Sequence, residues 1–190
     1  MSPTDQNETL QATLRRAANG DEQAWRQLVS AYSARVFGLI RAQCGNNDLA
    51  EEITQSTFCT LVVKIDQYTE VGRFESWLFR IAMNRLRDEM RRRKRQAKPV
   101  QDDALAGLAG AGDSADQAGE ADTDELRALR TAMVQLSAAD LQVIQLRHYG
   151  GLSFAQIAQV LGQPLGTVLA RQHRALKKLR QLMGADEAES

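Results

Sequence analysis

Between Val100 and Asp124 the chain is rich in Ala, Gly and Asp and has almost no large apolar residue. Such a stretch cannot bury enough surface to offset the entropy lost on ordering, so it is predicted to be a disordered linker. It divides the 190 residues into two parts, each long enough for only a small core. In both parts apolar residues recur at helical spacing. Alternating β-branched runs are nearly absent, and the chain has only three prolines. The expected fold class is all-α: a three- or four-helix unit over residues 20–98, a flexible acidic linker over 99–124 and a second helical unit over 125–183. An N-terminal segment, 1–19, and a tail, 184–190, flank them.

In the first unit Asp21 is placed to cap a helix whose apolar face is Trp25, Leu28, Val29, Tyr32, Val36, Leu39 and Ile40. Gly45-Asn46-Asn47-Asp48 breaks it, and a second helix follows with Ile53, Phe58, Leu61, Val62 and Ile65 predicted inside. After a polar loop from Gln67 to Arg73, a third helix starts at Phe74, and Pro99 ends the unit. In the second unit Ser137 and Ser153 begin capping-box patterns, Gly162 closes one helix and Pro164 precedes the next. A helix, a three-residue turn containing glycine and another helix make a helix-turn-helix pattern.

The charge is sorted into blocks although it sums to zero, with 24 basic and 24 acidic residues. Basic residues crowd Arg80 to Lys98 and Leu165 to Met183, whereas the stretch from Gln101 to Glu125 has acids and no base. This pattern points to two cationic binding surfaces joined by an acidic spacer. The flexible spacer would span roughly 25–30 Å on average.

The helix from Phe74 to Arg95 has two tracks. Trp77, Leu78, Ile81, Ala82, Leu86 and Met90 form an apolar one; Arg80, Asn84, Arg87, Arg91 and Arg95 form a polar, cationic one. Aromatics at one end and guanidinium groups along the side suit a polyanion with bases to stack, although a solvated Arg-rich face gives the same pattern. In the last helix Leu165, Val168, Leu169, Gln172, Leu176 and Leu179 are predicted to share the inner face. Thr167, Arg171, Arg174 and Lys178 take the opposite one, flanked by His173 and Lys177. An outer face without acids fits a helix in a major groove, where Arg meets either guanine edges or phosphate.

No Ser-His-Asp set, phosphate-binding loop or metal cluster can be assembled, so no catalytic residue, metal or cofactor is expected. Cys44 and Cys59 are read as small core or near-core thiols of a reducing compartment. The polar start of the chain is unlike a signal peptide, and no apolar run is long enough to cross a membrane, so a soluble cytoplasmic protein is expected.

Three motifs together resemble the bacterial RNA polymerase sigma factors of the small, extracytoplasmic-function type. Asp48-Leu49-Ala50-Glu51-Glu52-Ile53-Thr54-Gln55 is similar to that family's core-binding helix. Phe74-x-x-Trp77-Leu78-Phe79-Arg80-Ile81-Ala82-x-Asn84 is similar to its promoter-melting and minus-ten helix. Gly151-Leu152-Ser153-Phe154 through Gly166-Thr167-Val168 and Arg171-x-x-Arg174 is similar to its minus-thirty-five reader. The resemblance implies core RNA polymerase and promoter DNA, duplex and melted, as partners, with an anti-sigma factor as a further one. It implies that Asp48, Glu51, Glu52 and Gln55 dock on the core. Arg73, Phe74, Arg80, Asn84, Arg87 and Arg91 would hold the minus-ten strand. Thr167, Arg171, Arg174, Lys177 and Lys178 would meet the minus-thirty-five element. Leu169 and Ala170 depart from the family's usual basic residue and Ser at those positions. The competing expectation is a helix-turn-helix regulator that binds duplex DNA without a polymerase.

Overall fold

The computed structural model describes residues 3–68, 73–96 and 123–184. Within them lie α1 (Pro3–Ala18), α2 (Glu22–Cys44), α3 (Asn47–Lys64), α4 (Phe74–Gln96), α5 (Asp124–Val134), α6 (Ala138–His148), α7 (Phe154–Leu161) and α8 (Leu165–Leu182), with a 3-10 turn at Ile65–Gln67. The described residues contain no strand. The predicted linker, and residues 69–72 of the predicted loop, lie outside the described residues.

Local chemistry sets most helix ends. The Asp21 carboxylate accepts the N–H groups of Gln23 and Ala24 at 2.9 and 3.1 Å and a 2.7 Å hydrogen bond from Arg16. The Ala24 N–H and then the Arg16 guanidinium hold its pKa below the usual carboxylate value. Gly45 closes α2 at φ 67°, a left-handed conformation in which a Cβ would be strained. Asn46 caps α3, which starts at Asn47, by accepting the Leu49 N–H at 2.7 Å. Ser153 and Gln156 form the full reciprocal capping box of α7. The Ser137 cap has its hydroxyl on the Asp140 N–H at 3.1 Å, and the residue three on is an acid that makes no return bond.

Packing differs from the sequence reading in several places. A helix, α1, occupies the N-terminal segment, because Leu14 and Ala17 bury themselves and Leu10 packs beside them. On α3 the buried line includes Thr54, Thr57 and Thr60, whereas Val62, predicted inside, is 52% exposed and Phe58 only half-buried. The three hydroxyls donate to the carbonyls of Ala50, Ile53 and Ser56 at 2.6–2.8 Å, so each satisfies its polar atom within the helix and can pack like a small apolar residue. Cys59 is exposed rather than near-core.

The two sequence units share one core. A continuous apolar cluster runs from Leu14 and Leu28 through Phe79 and Met83 to Val143, Leu146, Ile157 and Val168. It forms where α7 packs on α4 and α6 packs on α2. A smaller cluster of Ala132, Leu136, Ile144, Ala175 and Leu179 joins α5, α6 and α8.

Polar bonds reinforce this seam. Arg35 on α2 pairs with Glu75 on α4 at 2.6 Å and donates through Nε and Nη2 to the Gly150 carbonyl at 3.0 and 2.6 Å. The other Glu75 oxygen accepts from Gln156 on α7 at 2.7 Å. Gln145, only 4% exposed, donates to the Ala42 carbonyl at 2.7 Å.

Candidate nucleic-acid interface

On α4, Phe74, Leu78, Phe79, Ala82, Met83 and Leu86 turn inward. At 3.6 residues per turn the opposite side carries Arg80, Asn84, Arg87 and Arg91, all exposed as expected. Phe74 needs correction: it is 1% exposed and packs edge-on against Tyr32 and Tyr68, with centroids 5.4 and 5.9 Å apart. It is packed between Tyr32 and Tyr68 and presents no face to a base. Trp77 is half-buried, with Tyr68 stacked on it at 4.4 Å and 15°. Met90, assigned to the apolar track, is 40% exposed.

The guanidinium groups of α4 are not equivalent. Glu89 accepts hydrogen bonds from Arg92 at 2.6 and 2.8 Å and from Arg93 at 2.9 Å. Those bonds, Arg92 first and Arg93 second, pull its pKa from 4.5 down to about 2. Two cations of the basic run thereby share one carboxylate, while Arg80 and Arg91 make no ion pair among the described residues. Arg87 Nη1 donates to Asn84 Oδ1 at 2.9 Å, which fixes the amide and leaves its NH2 donors outward. Arg85, absent from the sequence reading, donates to Thr60 Oγ1 at 2.6 and 3.1 Å and ties α4 to α3.

Asp48, Glu51, Glu52 and Gln55 are all exposed on α3. Gln55 donates to Glu51 at 3.2 Å, and Glu52 lies 4.0 Å from Arg93. The acidic face thus runs beside the paired arginines of α4, separate from the stripe of Arg80, Asn84, Arg87 and Arg91. Further along the same helix the exposed side becomes apolar at Val62 and Val63.

On α8 the structure rotates the predicted faces. The buried line is Val168, Ala175 and Leu179, whereas Leu165, Leu169 and Leu176 are 47%, 43% and 37% exposed. The small residue at 175 lets α8 sit close against α5 and α6, and that contact selects the buried side. Thr167, Arg171, Arg174 and Lys178 consequently form one flank, the exposed leucines form the other, and Ala170, His173 and Lys177 form the crest. Arg171 donates to Gln163 at 2.7 Å, Arg174 pairs with Asp140 at 3.3 Å, and Lys178 donates to the Gln135 carbonyl. Lys177 makes no such bond among the described residues. Sequence spacing could have exposed the Glu89 pairs, at i,i+3 and i,i+4. Asp140 and Gln135 carried no such signal, because their partners on α8 are distant in sequence.

No group of three or more His, Cys, Asp or Glu could hold a metal among the described residues, and none of their helices is long and apolar enough to cross a membrane.

Residues 28–96 match sigma-70 region 2, and residues 132–181 match sigma-70 region 4. The chain is 31% identical to the ECF RNA polymerase sigma-E factor of Haemophilus influenzae, over 88% of this chain and 91% of that one. It is 32% identical to the RNA polymerase sigma factor CnrH of Cupriavidus metallidurans, over 98% of each. The structure of CnrH in complex with the cytosolic domain of CnrY is similar at a TM-score of 0.66 and 25% identity, over 93% of this chain and 97% of that one. Two matched regions in the right order, and relatives aligned over nearly their whole length, place the chain in the family of ECF sigma factors, which direct RNA polymerase to promoters.

Proposed function

We propose that the chain acts in the cytoplasm as a non-enzymatic initiation factor whose three exposed faces divide the work. Asp48, Glu51, Glu52 and Gln55 on α3 dock on core polymerase. An acidic face repels phosphate, so a basic protein surface is its natural partner. Arg73, Arg80, Asn84, Arg87 and Arg91 hold the melted minus-ten strand. The flank and crest of α8, with Thr167, Arg171, Arg174, Lys177 and Lys178, meet the minus-thirty-five element.

The observation that carries this reading is the α4 stripe. Asn84 is fixed by Arg87 in mid-stripe, between two cations with no acidic partner, two turns along the same side of α4 from the Tyr68–Trp77 stack. Unstacking a base costs a few kcal/mol, and stacking on an aromatic returns roughly 1–3 kcal/mol per base, so capture can offset melting without ATP. A regulator that only bound duplex DNA would leave the α3 and α4 faces without a purpose. An inhibitory protein partner is a further part of the proposal, supported by the solution of CnrH together with a domain of CnrY.

The test is run-off transcription from a library of linear genomic fragments with purified core polymerase plus this chain. Initiation at a defined motif is expected, with Glu51→Lys lowering core affinity about tenfold at low salt. Absence of both initiation and core binding would overturn the proposal.

A further inference from the structure

We propose that Leu169 and Ala170 make α8 a reader of thymine methyl groups in the upstream element. The inference rests on, and deepens, the reading of α8 as the helix that meets that element in the major groove. A recognition helix touches base edges with its N-terminal residues. There guanine is held by Arg or Lys, adenine by Asn or Gln and cytosine by Asp or Glu, whereas thymine alone presents a methyl group, which apolar side chains contact. The first six residues of α8 are Leu165-Gly166-Thr167-Val168-Leu169-Ala170, with no basic, acidic or amide side chain among them. Only the Thr167 hydroxyl can hydrogen-bond there, and a hydroxyl does not single out one base. The leading part of the helix can therefore recognise a thymine and has no side chain that would grip the other three bases at two points.

The fold turns these groups outward. Val168 is the inward residue of the stretch and is fully buried, whereas Leu169 is 43% exposed and Ala170 stands on the crest. Of the exposed leucines on that flank Leu169 lies nearest the crest, because at about 100° per residue Leu165 and Leu176 are turned further back toward Val168. Gly166 precedes Ala170 by one turn on the same crest. A Cβ there would meet nothing within 4 Å, so packing inside the fold does not require a glycine. Its missing side chain instead lets the start of α8 sit deeper in the groove, which brings Leu169 and Ala170 to the C5 methyl. The nearest cation in sequence, Arg171, is drawn off the crest onto Gln163 at 2.7 Å. Lys177 follows two turns beyond Ala170, where it can hold phosphate while the apolar pair meets the bases. A single exposed leucine is ordinary on a protein surface. Leu169 differs because it adjoins the crest of a helix whose leading turns offer no other selective contact.

The experiment measures binding of the holoenzyme, the full chain on core polymerase, to duplex carrying the upstream element found by the run-off assay. Each thymine of that element is replaced in turn by deoxyuridine, which lacks only the C5 methyl. A loss of about fourfold is expected at one or two thymines, the value of one buried methyl-sized group. In Leu169→Ala the ratio of thymine to deoxyuridine affinity at such a position should fall toward one. Leu169→Met, which keeps an apolar reach, should retain the ratio. The slope of log affinity against log salt should stay the same in both variants, since no charge changes. Far-UV circular dichroism checks that the helices survive, and the deoxyuridine series in the wild type stands whatever the variants do. Selective binding that is indifferent to deoxyuridine at every thymine would overturn the methyl readout and leave α8 as the groove helix. A methyl effect undiminished in Leu169→Ala would overturn it as well. Binding that ignores every base change in the upstream element would instead sink the reading of α8, and the methyl readout with it.

Discussion

Arg87 Nη1 donates a 2.9 Å hydrogen bond to Asn84 Oδ1 on the exposed side of α4. The amide is therefore oriented before any strand arrives, and Arg87 has two tasks: it sets Asn84 and adds positive charge. Asn84→Ala should reduce the fraction of open promoter complex about fivefold, the value of one net hydrogen bond of about 1 kcal/mol, while duplex binding changes little. Permanganate footprinting beside a duplex shift assay measures the two quantities. Arg87→Ala should reduce both, and the double variant should fall short of the sum because the residues touch. Equal loss of duplex binding and opening in Asn84→Ala would overturn the strand-holding role proposed for it.

The pairing of α8 residues separates two kinds of contact. Arg174 is held by Asp140, whereas Lys177 stands on the crest. Lys177→Ala should weaken DNA binding uniformly across sequences and reduce the slope of log affinity against log salt by about one. Arg174→Ala should cost about 1–3 kcal/mol at one position of the upstream element if its guanidinium reads a base. Binding titrations over a set of upstream-element variants at several salt concentrations distinguish them. A sequence-independent loss in Arg174→Ala would make it a phosphate contact.

Glu89 predicts the acid side of the stability profile. Its folded pKa lies at about 2, below the ordinary 4.5. A depressed carboxylate stabilises the fold above the unfolded value, and that contribution drains away as pH falls from about 4.5 to about 2. Urea unfolding of the wild type between pH 6 and pH 2 should show this decline. Glu89→Gln should be less stable at neutral pH and decline less steeply on the acid side, within about half a unit of the same window. Parallel curves for the two proteins would mean that Arg92 and Arg93 do not hold the carboxylate in solution.

Much of the architecture was legible because it rests on local rules. Asp21, Gly45, Ser153 and Gly162 mark helix ends through hydrogen bonds and backbone angles that involve only near neighbours in sequence. The exposed stripe of Arg80, Asn84, Arg87 and Arg91 follows from the 3.6-residue period once Leu78, Ala82 and Leu86 are placed inside. The acidic face of α3 was legible for the same reason. The buried threonines of α3 escaped notice because a hydroxyl counts as polar until its carbonyl partner one turn back is known.

What the chain alone determined is therefore its helices, their caps, the order of the two regions and the residues that stay polar on the α4 and α3 surfaces. Tertiary structure decided the rest. Whether Leu169 or Ala175 turns inward depends on which side of α8 meets α5 and α6, since both choices satisfy an amphipathic period. Phe74 became core only when Tyr32 and Tyr68 closed around it. The meeting of Arg35, Glu75 and Gln156 joins three helices from both units, and neither periodicity nor motif spacing encodes a contact across such separations. Charges far apart in sequence pair only after the apolar cluster has brought their helices together.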